Sequence, residues 1–280
     1  MKRFARHCGF GALALLSLGL PLVGGCVREK VERVEWTVMG TVAAVQWKGR
    51  VADSQALVRE VREAFAEVET LLNAHAADSE LSRLAKLPDA EVLAKCSPLV
   101  RPCYAAAFRL RDETGGVFNP RWRGPGTMDL GAIAKGFSVD LAAERIARWC
   151  GGSEVLIDLG GNLKAVSGVW QTGVVAPDAN PSSRTAEQFS LAPNAACATS
   201  AEYYRGKHIK DGRDGSDAAG AVASVTAIHP DSAILADGLS TVMFLFGRER
   251  GEAFLRRRYP AAKAIWLLNP ETQGQSEKEN

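Results

Sequence analysis

The stretch Thr127-Met128-Asp129-Leu130-Gly131-Ala132-Ile133-Ala134-Lys135-Gly136-Phe137-Ser138-Val139-Asp140 divides the 280-residue chain into two textures. In it an acid precedes a glycine turn, and helical spacing then runs from Ile133 to Cys150. Upstream, helices dominate. Val58, Val61, Phe65, Val68, Leu71 and Leu72 give Val51 to Leu72 an amphipathic period, Ser79 opens a helix to Leu87, and Ser97-Pro98 opens another to Glu113. A strand-like mixture from Val31 to about Gln46, around Met39-Gly40-Thr41, precedes them. Downstream of Gly151-Gly152, short β-prone runs are separated by Gly, Pro and Asn: Glu154 to Leu159, Leu163 to Val166, Gly173 to Ala176, Ala195 to Ser200, Ala221 to Ile228 and Ala264 to Leu268. Two helices, Asp231 to Leu245 and Arg248 to Tyr259, come before the last of these. No regular βαβ alternation is present and no GxGxxG follows a strand, which disfavours a dinucleotide-binding Rossmann unit. The expected fold class is α+β, one domain with helices packed on a mixed β-sheet.

With 46% hydrophobic residues the chain has ample material for a core. Its 34 basic and 32 acidic residues nearly cancel, so no nucleic-acid partner is expected, and Arg256-Arg257-Arg258 reads as a solvated helix face. The first residues are different in kind. Lys2, Arg3, Arg6 and His7 precede an uncharged apolar run from Gly9 to Val23, followed by Gly24-Gly25-Cys26. This reads as a secretory signal rather than a permanent span. Val23-Gly24-Gly25-Cys26 resembles a bacterial lipobox, in which Cys26 is lipidated and becomes the mature N-terminus. The expected organisation is a lipoprotein signal peptide over 1–25, a lipidated linker over 26–34, the folded domain over 35–269 and a polar tail over 270–280. Export to the periplasmic side, anchored by lipid to the inner or outer membrane, follows from that reading. A Cys96–Cys103 bridge stays open, and no CxxC spacing indicates a zinc or redox site.

Three further observations carry chemistry. Backbone N–H groups after Asp129 and the Lys135 charge can converge on an anionic ligand such as a pyrophosphate, although Lys135 and Asp140 also fit a helix-surface pair. Ile157-Asp158-Leu159-Gly160-Gly161-Asn162 is a tight turn between strands. In Ala236-Asp237-Gly238-Leu239-Ser240-Thr241, Asp237, Ser240 and Thr241 share one helix face and offer hard oxygens of the kind magnesium or calcium prefers. Asp237 equally fits a helix N-terminal acid, and the hydroxyls fit ordinary buried ones.

In order along the chain, MGT at Met39, DSELSRL from Asp78, TGGVFNP from Thr114, DLGAIAKGFSVD from Asp129, DLGGN from Asp158, ATS from Ala198, HIKDGRDG from His208 and ADGLST from Ala236 resemble the ApbE family, the FAD:protein FMN transferases. The resemblance spans about Trp36 to Leu268 and implies an ApbE-like, T-fold-related domain. It further implies that Met39 and His75 flank the flavin, that Val117, Phe118, Asn119, Asp129, Lys135 and Ile209 line the FAD site, and that Mg²⁺ is held by the Ala132 carbonyl with Asp237 and Thr241, assisted by Ser240. His208, which by itself fits a locally bonded strand-end histidine, becomes the candidate base. The implied reaction transfers FMN from FAD to a Ser or Thr hydroxyl of an exported or membrane redox protein, releasing AMP. An FAD pyrophosphatase and a non-catalytic FAD-binding lipoprotein are the competing readings.

The sequence departs from that family in three places. Arg121 to Met128 is a shortened central insertion, which predicts a missing pocket wall and a more open cleft. Asn119 replaces an aspartate while keeping a donor and an acceptor for the adenine or ribose part. Gly212 and Asp214 replace Pro and Thr, which predicts a looser loop after His208.

Overall fold

Alternating burial along Val31–Val38 makes it a strand, β1, and a two-residue turn at Met39 and Gly40, both with positive φ, returns the chain as β2, Thr41–Lys48. Such a turn matches the twist of the paired strands. In the computed structural model, residues 30–176, 185–202, 208–218 and 220–269 are described. The expected signal peptide, Cys26 and the polar tail lie outside these residues. β1 opens at Val31, so the folded domain begins inside the stretch expected to be linker. No helix among the described residues is long and apolar enough to cross a membrane.

Among the described residues, seven α-helices follow the hairpin or interleave with the strands: α1 (Ser54–Leu72), α2 (Glu80–Leu84), α3 (Asp89–Lys95), α4 (Arg101–Glu113), α5 (Ala134–Ile146), α6 (Ala233–Phe246) and α7 (Arg248–Arg258). The remaining strands are β3 (Glu154–Leu159), β4 (Asn162–Ser167), β5 (Trp170–Val175), β6 (Thr185–Leu191), β7 (Ala196–Ala201), β8 (Val222–His229) and β9 (Lys263–Leu268). Two elements escaped the sequence pattern. α3 is only seven residues with one buried position, Val92, and β6 is mostly exposed and polar, so neither carries a hydrophobic period.

β1-β2-β3-β4-β7-β8-β9 form one sheet, and β5-β6 a separate ribbon. Every pairing among the described residues is antiparallel. The α+β expectation therefore stands, and the expected mixed sheet is corrected to an antiparallel one. β3 explains the layering. Val155, Ile157 and Leu159 face the helical layer, while Leu156 joins Ala165, Trp170, Leu191 and Cys197 under the β5-β6 ribbon. With apolar material on both faces, the strand reads as a continuous apolar run.

α1, α5 and α6 pack together on the helical side, with α6 against β7 and β8. α1 presents Leu57, Val61, Phe65, Val68 and Leu72 to the core, each such side chain contributing about 1.5–3 kcal/mol when fully buried. The placement of α6 depends on Asp140. This α5 carboxylate accepts from the backbone N–H of Ala233 and Ile234, both at 2.9 Å, and from Ser232 Oγ at 3.2 Å. Lys164 Nζ on β4 lies 2.8 Å from the same group. An α5 acid thus satisfies the orphan N–H groups of the α6 N-terminus and fixes α6 along α5. Asp140 forms no surface pair with Lys135.

Candidate functional site

Locking α6 against α5 brings Asp237, in the second turn of α6, over the first turn of α5. Its Oδ2 accepts from Gly136 N at 2.9 Å, and its Oδ1 lies 3.5 Å from Lys135 Nζ. The helices exchange carboxylates: Asp140 of α5 caps α6, and Asp237 of α6 meets the start of α5. Gly136 permits the approach, since a Cβ there would fall 2.2 Å from the Ala233 carbonyl oxygen and 2.7 Å from Asp237 Cβ. Asp237 is 4% exposed. Burial pushes its carboxyl up from the ordinary value, against the opposing pull of Lys135 and the Gly136 N–H. The first-turn N–H expected to meet an anionic ligand is therefore engaged with Asp237.

Asp237, Lys135, Thr241 and Ala132 line one cavity of about 590 Å³. The loop carrying Ala132 is ordered by local bonds: Asp129 N donates to the Pro120 carbonyl at 2.7 Å, Gly131 N to Asp129 Oδ1 at 2.8 Å, and Ala134 N to the Leu130 carbonyl at 2.8 Å. Val117, Phe118, Asn119, Asp129, His208 and Ile209 line the same cavity. Of the eleven residues assigned as catalytic, FAD-lining or metal-holding apart from the flavin pair, ten line this cavity, Asp237 among them; Ser240 is the exception. Its Oγ donates to the Asp237 carbonyl at 2.8 Å and lies 2.8 Å from Ser200 Oγ, and it does not reach the cavity. Met39 and His75 do not line the cavity either. Met39 is held by Glu69, which accepts from its N–H at 2.9 Å, and by Ser138 Oγ, 3.5 Å from its sulfur. His75 is exposed in a turn.

The shortened segment still supplies part of the cavity wall. Arg121 anchors it, donating from Nε to Asp89 Oδ1 at 2.8 Å and from its terminal nitrogens to the carbonyls of Ala85 and Leu87 at 2.6 and 2.7 Å. Trp122 and Arg123 then become cavity wall, with the Arg123 guanidinium 4.7 Å from the Trp122 ring and 3.3 Å from Asp129. Asn119 is also occupied: Nδ2 donates to the Gly212 carbonyl at 3.0 Å, and Oδ1 accepts from Arg121 N at 2.9 Å. It is a strut between wall and loop, and one Nδ2 proton and one Oδ1 lone pair remain on a side chain that lines the cavity. The loop after His208 is tight, with Gly212 N bonded to the Val117 carbonyl, Asp211 N to the Ser216 carbonyl and Gly215 N to the Asp211 carbonyl at 2.8–2.9 Å. A Cβ on Gly212 would meet Asn119 Cβ at 2.3 Å, so glycine there allows closure.

Several lining residues were given no role from the sequence, although Thr199, Gly160 and Gly161 lie within its motifs. Thr199 and Thr226 face each other across β7 and β8 at 2.7 Å, and Phe189 comes from the unrecognised β6. Gly160 and Gly161 of the β3-β4 turn also line the cavity, with Asp158 Oδ1 accepting from Gly161 N at 2.9 Å. Cys197 lines it as an inert thiol, pushed up to about 12 mainly by burial. Cys96, Cys103, Cys150 and Cys197 are all free and buried, so the Cys96–Cys103 bridge is not formed. Among the described residues no three His, Cys, Asp or Glu side chains gather to hold a metal. A cation here would rest on one carboxylate with neutral oxygens, which suits Mg²⁺, an ion that keeps several waters and takes phosphate oxygens.

A family model described as the ApbE family matches residues 122–266. A protein from Haemophilus influenzae named FAD:protein FMN transferase is 30% identical over 136 residues, covering 44% of this chain and 38% of its own length. One of the same name from Klebsiella pneumoniae is 35% identical over 182 residues, 61% of this chain and 54% of its own. The chain thus spans about half or less of the length of these two relatives. The structure called Flavin Transferase ApbE from Vibrio cholerae superposes with a TM-score of 0.71 at 23% identity, covering 86% of this chain and 94% of that one, a likeness of fold.

Proposed function

The chain belongs to the ApbE family, and from that premise we propose that it is a Mg²⁺-dependent FAD:protein FMN transferase. The observation that carries the proposal is the single cavity shared by a buried carboxylate, Asp237, a lysine beside it, Lys135, two neutral oxygens, from Ala132 and Thr241, and an exposed histidine, His208. Transfer onto a protein requires a depth gradient. The charge-stabilising groups must be enclosed, and the proton acceptor must stand where a macromolecular hydroxyl can reach it. The burial of Asp237 and the exposure of His208 support that arrangement.

In the proposed reaction the acceptor's Ser or Thr oxygen attacks the FMN phosphorus of FAD, and the bond to the AMP oxygen breaks. His208 takes the hydroxyl proton. Lys135 keeps a positive charge against the diphosphate. Asp237, Thr241 and the Ala132 carbonyl would hold the cation, whose chemistry is to neutralise charge on the diphosphate. Trp122 and Arg123 offer a flat cationic-aromatic wall for a ring of the dinucleotide. The proposed acceptor is an exported or membrane-bound redox protein, met on the periplasmic side by an enzyme anchored through lipidated Cys26.

Incubating the protein with FAD and Mg²⁺, with and without a candidate acceptor, tests the proposal. AMP release accompanied by acceptor mass gained as FMN is expected. AMP without acceptor identifies hydrolysis instead, and no AMP despite FAD binding identifies a carrier. Asp237→Ala should abolish cation-dependent AMP release, because a methyl group cannot ligate Mg²⁺; full activity in that variant removes the cation assignment.

A further inference from the structure

One hydroxyl proton per serine or threonine is enough to determine the direction of a hydrogen-bond chain beside the cavity. Ser240 Oγ lies 2.8 Å from the Asp237 carbonyl oxygen, which can only accept, so Ser240 donates there. Ser240 Oγ also lies 2.8 Å from Ser200 Oγ. With the Ser240 proton already placed, Ser200 is the donor in that contact. Ser200 Oγ lies 3.3 Å from Thr241 Oγ1. With the Ser200 proton placed in turn, a hydrogen bond across this longer contact runs from Thr241 to Ser200. The proton order runs Thr241 to Ser200 to Ser240 to the Asp237 carbonyl. It begins on a cavity-lining hydroxyl and ends on the backbone of the residue whose carboxylate lines the same cavity.

We infer that Ser200 is a positioning residue: it takes the Thr241 proton onto its own oxygen at the cavity wall, so that the Thr241 oxygen presents lone pairs to the rest of the cavity. This deepens the cation reading of the site and rests on it. A hydroxyl free to rotate serves a cation or donates to a phosphate oxygen, whereas one held as a donor to Ser200 is an acceptor only on its open side. Ser240, 1% exposed and away from the cavity, is shut off from water, which fixes the end of the chain; Ser200, 8% exposed, lines the cavity beside Thr241. β7 and α6 are thereby joined through side chains at the level of the site. Ser240, which the sequence suggested as a ligand, acts as the middle of the relay.

Mn²⁺ alone, titrated into the full-length protein without FAD and followed by calorimetry or by the spectrum of the free ion, reads the inference directly. Ser200→Ala should weaken Mn²⁺ binding by about tenfold or more, the usual loss when a group orienting a metal ligand is removed. Ser200→Thr keeps a hydroxyl and should restore Mn²⁺ affinity, an outcome that a purely volume-filling role would not give. Ser240→Ala should also weaken Mn²⁺ binding, and the double variant should lose less than the sum of the singles, since both interrupt one chain. Wild-type Mn²⁺ affinity in Ser200→Ala and in Ser240→Ala overturns the relay and leaves the cation site standing. A wild-type protein that takes up no Mn²⁺ overturns both.

Discussion

Replacing Gly136 with alanine should damage the protein in two measurable ways, although alanine is the better helix former. Gly136 is a helical residue without positive φ, so on an open helix face the change would stabilise by about 1 kcal/mol. Here the new Cβ would lie 2.2 Å from the Ala233 carbonyl oxygen and 2.7 Å from Asp237 Cβ, the second of which needs about 3.5–4.0 Å for a relaxed carbon contact. The obstructing atoms are backbone and a helix-fixed Cβ, so no rotamer change relieves the clash, and α5 and α6 must part by roughly 1 Å. Overpacking of that kind costs about 1–3 kcal/mol, or more where nothing gives, and outweighs the helix propensity. A net loss of about 1–2 kcal/mol lowers Tm by roughly 2–8 °C for a domain of this size. The same movement carries Asp237 away from Lys135, the Gly136 N–H and the Ala132 carbonyl, so Mn²⁺ affinity should fall by about tenfold. Differential scanning calorimetry and Mn²⁺ titration check both effects. A Tm raised by the substitution, with cation binding intact, would refute the close helix contact and the argument built on it.

His208→Ala should slow AMP release in the presence of acceptor by about 10²–10⁴-fold, the span of a general base, while FAD affinity is largely kept. Equal losses in both would mark a structural histidine. Asp89→Asn should loosen the Trp122 wall, because Asp89 holds Arg121 and Arg111. Burial pushes the Asp89 carboxyl up, but hydrogen bonds from Arg111 and Arg121 outweigh it, so its net position is below the ordinary value. The ionised form therefore favours the fold, with a contribution present above the unfolded carboxylate range and lost as pH falls through the depressed one. Wild type should exceed Asp89→Asn by about 1 kcal/mol at neutral pH after solvent screening, with the gap closing in strong acid. A gap independent of pH in denaturant titrations would contradict the assignment of that stability to the ion pairs.

Where the chain's pattern is local, the sequence was legible. The four-residue spacing of Asp237 and Thr241 placed both on one face of α6, and both line the cavity. Val61, Phe65, Val68 and Leu72 gave α1, and alternation with glycine punctuation gave β3, β4, β7 and β8 within a residue or two. Arg256, Arg257 and Arg258 form the exposed last turn of α7, as their charge required. Reading failed where a residue's role depends on a partner distant in the chain. The short 121–128 segment read as a missing wall because nothing local reveals that Arg121 reaches Asp89 and the carbonyls of Ala85 and Leu87. The strut role of Asn119 was illegible as well, because its bond to the Gly212 carbonyl spans 93 residues.

The sequence by itself determined most of the helix and strand segments, α3 and β6 excepted, with the α+β class and the chemical types available to a site, because periodicity, capping and turn chemistry act over a few residues. The antiparallel pairing of all the strands, the reciprocal placement of Asp140 on α6 and Asp237 on α5, and the hydroxyl order from Thr241 through Ser200 were decided only by tertiary structure. Each depends on groups brought within about 3 Å by packing across the sheet and between helices, where hydrogen bonds act at contact range and sequence separation carries no record of them.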